Sequence, residues 1–362
     1  MSAVKSPLRN VVIVLLTAII LWVAVCEFTD YLARPLPIDS VQELEVVRGS
    51  SLGQVIKQLT ARNLLPHPLL FQLYVRATGR GHHILAGDYL LGPGTAPLDL
   101  LDMLEQGRMR MHSITLVEGW TLTQLRMQLR KDTHLRQVLS DVPAVELLTA
   151  LGVNDQAAHV EVPNPGQPEG LFFPDTYVFT GSTSDRDILR QAYRRMQNVL
   201  QEEWQARAPN LPYKNAYEAL IMASIVERET GVGSERPEIA GVFVRRLQKD
   251  MLLQTDPTVI YGLGGGFDGN LRRRDLDDAG NLYNTYQHRG LPPTPIALAG
   301  RAAIRAALQP SGGEALYFVG KGDGSHQFSA TLDEHERAVK KYQIEQRRAD
   351  YRSRPGKAAG DH

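Results

Sequence analysis

The run Val11–Cys26 (VVIVLLTAIILWVAVC) contains no charged side chain, follows Lys5 and Arg9, and ends at Glu27. At about 1.5 Å per residue such a helix approaches the ~30 Å hydrocarbon core of a bilayer, and Arg9 can snorkel across the shortfall. Cations before the run, with Glu27 and Asp30 after it, place the N-terminus in the cytoplasm and everything downstream outside. A cleaved signal peptide fits less well, because the apolar run is long for one and no small-x-small site follows it. Lipidation of Cys26 is disfavoured by Val23 and Val25 in the cleavage box that would precede it. The expectation is a cytoplasmic segment over residues 1–9 and a single-pass anchor over residues 10–28.

The chain is long enough for about two folded units. Lys plus Arg and Asp plus Glu number 40 each, so no net field draws nucleic acid, and no basic block interleaved with aromatics offers a face for it. Cys26 is the only cysteine, which leaves neither a disulfide framework nor a thiolate zinc site downstream. After a linker over residues 29–43 with Pro35 and Pro37, Leu44–Val47 reads as a strand. Ser50 or Ser51 can cap a helix with Leu52, Val55, Ile56 and Leu59 on one face. A second helix, from Pro68 to Gly79, is expected to bury Leu69, Leu70, Leu73 and Tyr74, and Tyr89–Leu91 makes a second strand. This small βααβ unit, residues 44–110, resembles a lysin-motif domain, the fold with which many cell-wall enzymes hold N-acetylglucosamine-containing glycan. A spacer or docking module fits the same element order.

Thr95–Gly107 reads as a helix and Met109–Val117 as a strand, leading into the turn Glu118-Gly119-Trp120 and a helix capped by Thr121. Beyond it helices alternate with short strand-like pieces without a βαβ rhythm, so residues 111–345 are expected to form a larger domain of mixed α+β class. Tyr317-Phe318-Val319 and His326-Gln327-Phe328 pair as a hairpin in this reading, with a structural role for His326 or a place in a cleft both open. Thr331 and Glu334 form a capping box for the last helix, and the polar tail over residues 346–362 is expected to be disordered.

The most informative stretch is Ala216–Thr230 (AYEALIMASIVERET), apolar around most of a helix circumference from Ala219 to Val226 and ending on charges. That marks a buried helix whose Glu227 emerges at the rim of the core, where partial desolvation raises a carboxyl pKa and suits a general acid. Glu229, two positions on, points elsewhere. Downstream, Gln254, Thr255, Asp256 and Thr258 cluster around Pro257, followed by Tyr283-Asn284-Thr285-Tyr286 and the rigid Gly290-Leu291-Pro292-Pro293. Together they suit a carbohydrate cleft. His82-His83 stands without HExxH or a cysteine pair, so no metal centre is expected.

The strings ASIVERET, LQTDPTVIYG, YNTY and GLPPTPI, with VEGWTL and EGLFFPDTYVF upstream, closely resemble the membrane-bound endolytic murein transglycosylases, the YceG-like or MltG-type family. The resemblance implies Glu227 as catalytic acid/base and substrate-cleft roles for Gln254, Asp256, Tyr261, Asn284 and Tyr286, with no cofactor and no metal. It further implies cleavage of the MurNAc–GlcNAc bond of peptidoglycan strands with 1,6-anhydro ends, ending strand elongation. A single helix in the cell inner membrane, a periplasmic catalytic domain and contacts with cell-wall synthesis proteins accompany that reading. Two others stay open: a water-using muramidase with Asp256 as second carboxylate, and a non-catalytic glycan-binding scaffold.

Overall fold

A computed structural model describes residues 7–153, 162–163 and 166–345. Lys5 and the tail from Arg347 lie outside the described residues, so the expectations of a cytoplasmic N-terminal segment and a disordered C-terminus concern positions not described. The chain divides into two compact units. One holds the residues up to Ser113 with His134–Arg136 and Val178–Thr183; the other holds Ile114–Thr133, Gln137–Tyr177 and everything from Ser184.

The smaller unit begins with helix α1 (Pro7–Ala33), in which Asn10–Ala33 is long and apolar enough to cross a membrane. It continues with β1 (Gln42–Val46), α2 (Leu52–Ala61), α3 (Pro68–Thr78), β2 (Gly87–Leu91) and α4 (Pro97–Gln106). β1 and β2 pair antiparallel with Leu44 opposite Tyr89, so the βααβ order is present. Ser51 and Gln54 close a capping box on α2, whose Leu52, Val55, Ile56 and Leu59 are all buried. They join Leu44, Tyr89, Leu100 and Leu104 in one core, to which Leu32, Leu36 and Ile38 also belong.

Helix α3 departs from expectation. Only Phe71 is fully buried, and Tyr74 packs against the core in part. Leu69, Leu70 and Leu73 face outward at 77%, 37% and 59% exposure. Periodicity identifies residues that share a helix face, and here the face turned to the core is the one carrying Phe71, with Tyr74 and Val75 packed beside it.

The larger unit is mixed α+β and mostly helical. Its elements follow β3 (His112–Thr115), which pairs with β4 (Thr176–Phe179). The helices are α5 (Leu122–Lys131), α6 (Leu147–Leu151), α7 (Asp185–Gln205), α8 (Ala216–Glu229), α9 (Arg236–Gln248), α10 (Asp256–Leu263), α11 (Arg273–Leu276) and α12 (Arg301–Leu308). The hairpin β5 (Tyr317–Gly320) and β6 (His326–Ser329) precedes α13 (Leu332–Val339), and the Thr331–Glu334 capping box is formed. Core packing of the smaller unit predicts that Leu59→Ala lowers stability by about 2–5 kcal/mol. Leu73→Ala should stay within about 0.5 kcal/mol. Urea unfolding of the detergent-solubilised protein measures both.

Candidate active site

Asn215 caps α8 by accepting from Glu218 N at 3.0 Å, and the helix then runs through the middle of the larger unit, surrounded by α12, α9, α10 and α7. Ala219, Leu220, Met222, Ala223, Ser224, Ile225 and Val226 are fully buried. One turn before the end, Ser224 Oγ donates to Ile221 O at 2.7 Å and accepts from Ile296 N at 3.0 Å. Four residues further along that same segment, Gly300 N donates to Glu227 Oε2 at 3.0 Å. The prolines of Leu291-Pro292-Pro293 stiffen the approach, and the segment after them aligns two backbone donors along α8.

The Glu227 side chain is only 4% exposed, and its Oε1 accepts from Arg236 Nη2 at 2.9 Å. Arg236 opens α9, and the same Nη2 lies 3.8 Å from Glu118 Oε2. The half-exposed Glu118 sits on the Glu118-Gly119-Trp120 turn. Gly119 N donates to Leu298 O at 2.8 Å, Leu298 N to Trp120 O at 2.7 Å, and Arg228 Nη1 to Gly119 O at 3.0 Å. A Cβ on Gly300 would collide with Glu118 Oε1, so a glycine there lets Glu118 approach Arg236. Burial pushes the Glu227 carboxyl above its ordinary range; Arg236 opposes this, Glu118 adds to it, and the hydrogen bonds from Gly300 and Arg236 oppose it. The balance is upward. The protonated form of Glu227 is thus favoured relative to an ordinary carboxyl, while two donors stand ready for its anion, an environment suited to giving a proton and taking one back.

A second buried carboxyl stands in the EGLFFPDTYVF string. Glu169 accepts from Leu122 N with both oxygens at 2.9 and 3.1 Å, from Gly170 N at 3.2 Å and from the Tyr261 hydroxyl at 3.1 Å. Burial nevertheless pushes it up to about 7. Gly170 adopts φ +75° and a Cβ would run into Pro295 and the Ala297 carbonyl, so only glycine fits this turn. Glu169 and Tyr261 line a cavity of about 430 Å³ with Gln124, Arg228 and Ile296. Burial, with Glu169 beside it, holds the Tyr261 phenol well above its usual range.

Of the residues singled out from sequence, Gln254, Asp256 and Tyr286 stand together. Gln254 N donates to Thr285 O at 3.1 Å, and the exposed Asp256, first residue of α10, accepts from the Tyr286 hydroxyl at 2.7 Å. Thr255 Oγ1 donates to Glu229, and Gln254 Oε1 accepts from Arg246 Nη1 at 3.3 Å. Tyr261 packs edge-on against Tyr283 with ring centroids 4.8 Å apart. Asn284 is fully buried: Nδ2 donates to the carbonyls of Asp275, Leu276 and Asp278, and Oδ1 accepts from Tyr286 N. Its amide clamps the loop that presents Tyr286. His326 binds Glu235 through Nδ1 at 2.8 Å and its backbone N at 3.0 Å, anchoring the hairpin beside the residue that precedes Arg236. The carboxylate that shares a partner with Glu227 is Glu118, within the VEGWTL string, and sequence reasoning passed over it, Glu169, Arg236 and Gly300. Among the described residues no group of three or more His, Cys, Asp or Glu side chains could hold a metal ion.

A buried helix whose last turn carries a sheltered carboxyl with two hydrogen-bond donors, in a unit that also groups tyrosines with polar side chains, is an arrangement suited to general acid/base chemistry. The YceG-like family model matches residues 44–341, and the chain belongs to that family. An endolytic murein transglycosylase of Bacillus subtilis (strain 168) is 32% identical over 323 residues, spanning 86% of this chain and 88% of that protein. One from Streptococcus pneumoniae serotype 2 is 26% identical over 84% of this chain, which spans 59% of that protein. A YceG-like protein of Listeria monocytogenes, known from a 2.6 Å crystal structure, aligns with a TM-score of 0.51 at 27% identity, covering 82% of this chain and 98% of that one.

The raised Glu169 carboxyl predicts a pH-dependent stability. Its proton is bound more tightly in the folded than in the unfolded chain, so its contribution is complete below the unfolded pKa and is lost as pH rises through about 7. The parent should lose roughly 2–3 kcal/mol from this group between about pH 5 and pH 8, and Glu169→Gln should flatten that slope in urea titrations across the range.

Proposed function

We propose that the protein is an endolytic peptidoglycan lytic transglycosylase in which Glu227 serves as both acid and base. The observation that carries the reading is the double environment of this carboxyl, pushed upward by burial yet supplied with donors from Arg236 and Gly300. Membership of a family whose curated relatives are named endolytic murein transglycosylases supplies the substrate class.

In the first half-reaction Glu227 gives its proton to the oxygen linking MurNAc C1 to GlcNAc, and that C1–O bond breaks. The carboxylate left behind is held by Arg236 and the Gly300 N–H. In the second, the C6 hydroxyl oxygen of the same MurNAc bonds to C1 while its proton passes to Glu227, which restores the acid and leaves a 1,6-anhydro end. No water is consumed, and no second carboxyl is needed to bind one. Gln254, Asp256, Tyr261 and Tyr286 form the sugar-contacting wall in this reading, with Asn284 shaping the loop that carries Tyr286. The βααβ unit holds glycan as a lysin motif does, and α1 fixes the chain in the inner membrane with the enzyme outside. There it meets strands as they are made and ends their elongation.

The proximity of Glu118 to Arg236 favours one rival, a muramidase in which a second carboxylate activates water. Products decide. Glycan strands treated with the parent should carry ends lighter by one water than reducing ends and resistant to borohydride; reducible ends would make the protein a hydrolase. Glu227→Gln should lower turnover by about 10²–10⁴ with folding intact, and a folded Gln variant of parent-like activity would remove Glu227 from the mechanism.

A separate expectation concerns pH. Arg236 opposes the upward shift of Glu227, so Arg236→Gln should move the alkaline limb of kcat/KM, where the protonated acid is lost, to higher pH while lowering kcat. Rate profiles between about pH 4 and pH 9 test this.

A further inference from the structure

Helix α3 carries an apolar stripe that none of the described residues covers. At about 100° per residue, Leu69, Leu73, Ala77 and Leu70 occupy one arc of about 100°, with Arg76 at its edge. Leu69 and Leu73 are 77% and 59% exposed, far more than an apolar side chain in a packed unit, while Phe71 on the opposite side is fully buried.

The start of α3 is fixed against α1. The Tyr31 hydroxyl donates to Pro66 O at 2.7 Å, the Tyr31 and His67 rings meet edge-on with centroids 5.9 Å apart, and Phe28 and Tyr74 lie 6.4 Å apart. Leu70 shares a cavity of about 450 Å³ with Ala24 and Val25, and Glu27 and Arg34 also line it. Ala24 and Val25 belong to the uncharged run, so Leu70 stands at the depth where that run ends. The aromatic residues Phe28 and Tyr31 and the charges of Glu27, Asp30 and Arg34 follow it, as expected of a segment crossing from hydrocarbon to headgroups.

We propose that α3 is an interfacial helix, lying in the outer boundary of the same bilayer that α1 crosses. Leu69, Leu70 and Leu73 sit among acyl chains, Arg76 reaches the headgroups, and a lipid chain occupies the cavity between α1 and α3. The inference rests on the reading of α1 as a membrane span. Continuity selects lipid as the occupant: the stripe adjoins the exposed apolar surface of α1 at the same depth, whereas a protein partner would have to displace the lipid already around that surface.

The test uses the full chain with Cys26→Ser, a single cysteine at Leu73, Ile19 or Lys57, an environment-sensitive fluorophore, and vesicles of phosphatidylethanolamine and phosphatidylglycerol. Lipids spin-labelled high on the acyl chain should quench the Leu73 label at least about twofold, lipids labelled deep should quench Ile19, and neither should quench Lys57 on α2. A Leu73 label as wet as Lys57, with Ile19 quenched, overturns the inference and leaves the span intact. An unquenched Ile19 removes the span, and the inference with it. A Leu73 label that is dry but indifferent to spin-labelled lipid, and drier as protein density rises, means that a second copy covers the stripe and also overturns it.

Discussion

In the larger unit, α8, α9 and the start of α12 meet at the buried carboxyl of Glu227. A carboxyl at the end of an apolar helix is out of reach of water on most sides, and leaving its oxygens without partners would be strongly unfavourable. Here each oxygen of Glu227 has one donor, from a different element: Arg236 at the start of α9 and Gly300 at the start of α12. Gly300 donates its backbone N–H from the N-cap of α12, where the helix dipole already favours negative charge, and Arg236 reaches across from the first turn of α9 with its guanidinium. The arrangement of α8, α9 and α12 can therefore be read as the set of packings that bring two helix starts to the end of a third.

The same donors would spoil an acid if they acted alone. An arginine at 2.9 Å favours the ionised carboxyl, and a carboxyl ionised at rest has no proton to give. Burial pushes the other way, and Glu118, drawn against Arg236 across the bare Cα of Gly300, pushes with it. Both states are supported, so one group can change between them within a reaction. In the proposed mechanism, burial without Arg236 would leave the second step, recovery of a proton from a hydroxyl, without a stabilised base to begin from.

Legibility in the sequence followed the kind of interaction involved. Helix α8 could be read from its nearly all-round apolar run, whereas the charges that close it would by themselves read as a solvated helix end, and Glu227 was singled out by the family strings around it. The caps at Thr121 and Thr331 were equally readable, being local in sequence, and the cap of α2 was narrowed to Ser50 or Ser51, of which Ser51 is the one used. Arg236 and Gly300 were not, since their meaning depends on contacts 9 and 73 residues away. Glu118 and Glu169 lay in strings recognised as significant, yet nothing in a string distinguishes an exposed acid from one set against an arginine or sealed beneath a helix start. Asn284 shows the converse. An amide between two tyrosines suits a sugar ligand or a loop clamp, and only the three carbonyls around Nδ2 decide which geometry it has. The leucines of α3 mark the limit of periodicity, which groups side chains on a face without saying what lies opposite.

That limit matters for how the smaller unit works. Leu32, Leu36 and Ile38 enter its core, so α1 does not swing on a free tether: its end is packed into the unit it carries. In the proposed reading, α1 across a bilayer would hold the βααβ unit at the surface at a fixed height, and a glycan-binding module there would sample strands close to the membrane in preference to finished wall further out. A flexible linker of the same length would allow a broad range of heights, because the end-to-end distance of a random chain fluctuates on the scale of its own mean. In that reading the apolar contacts at residues 32–38 bear on which strands can be reached, and do so through packing within one unit.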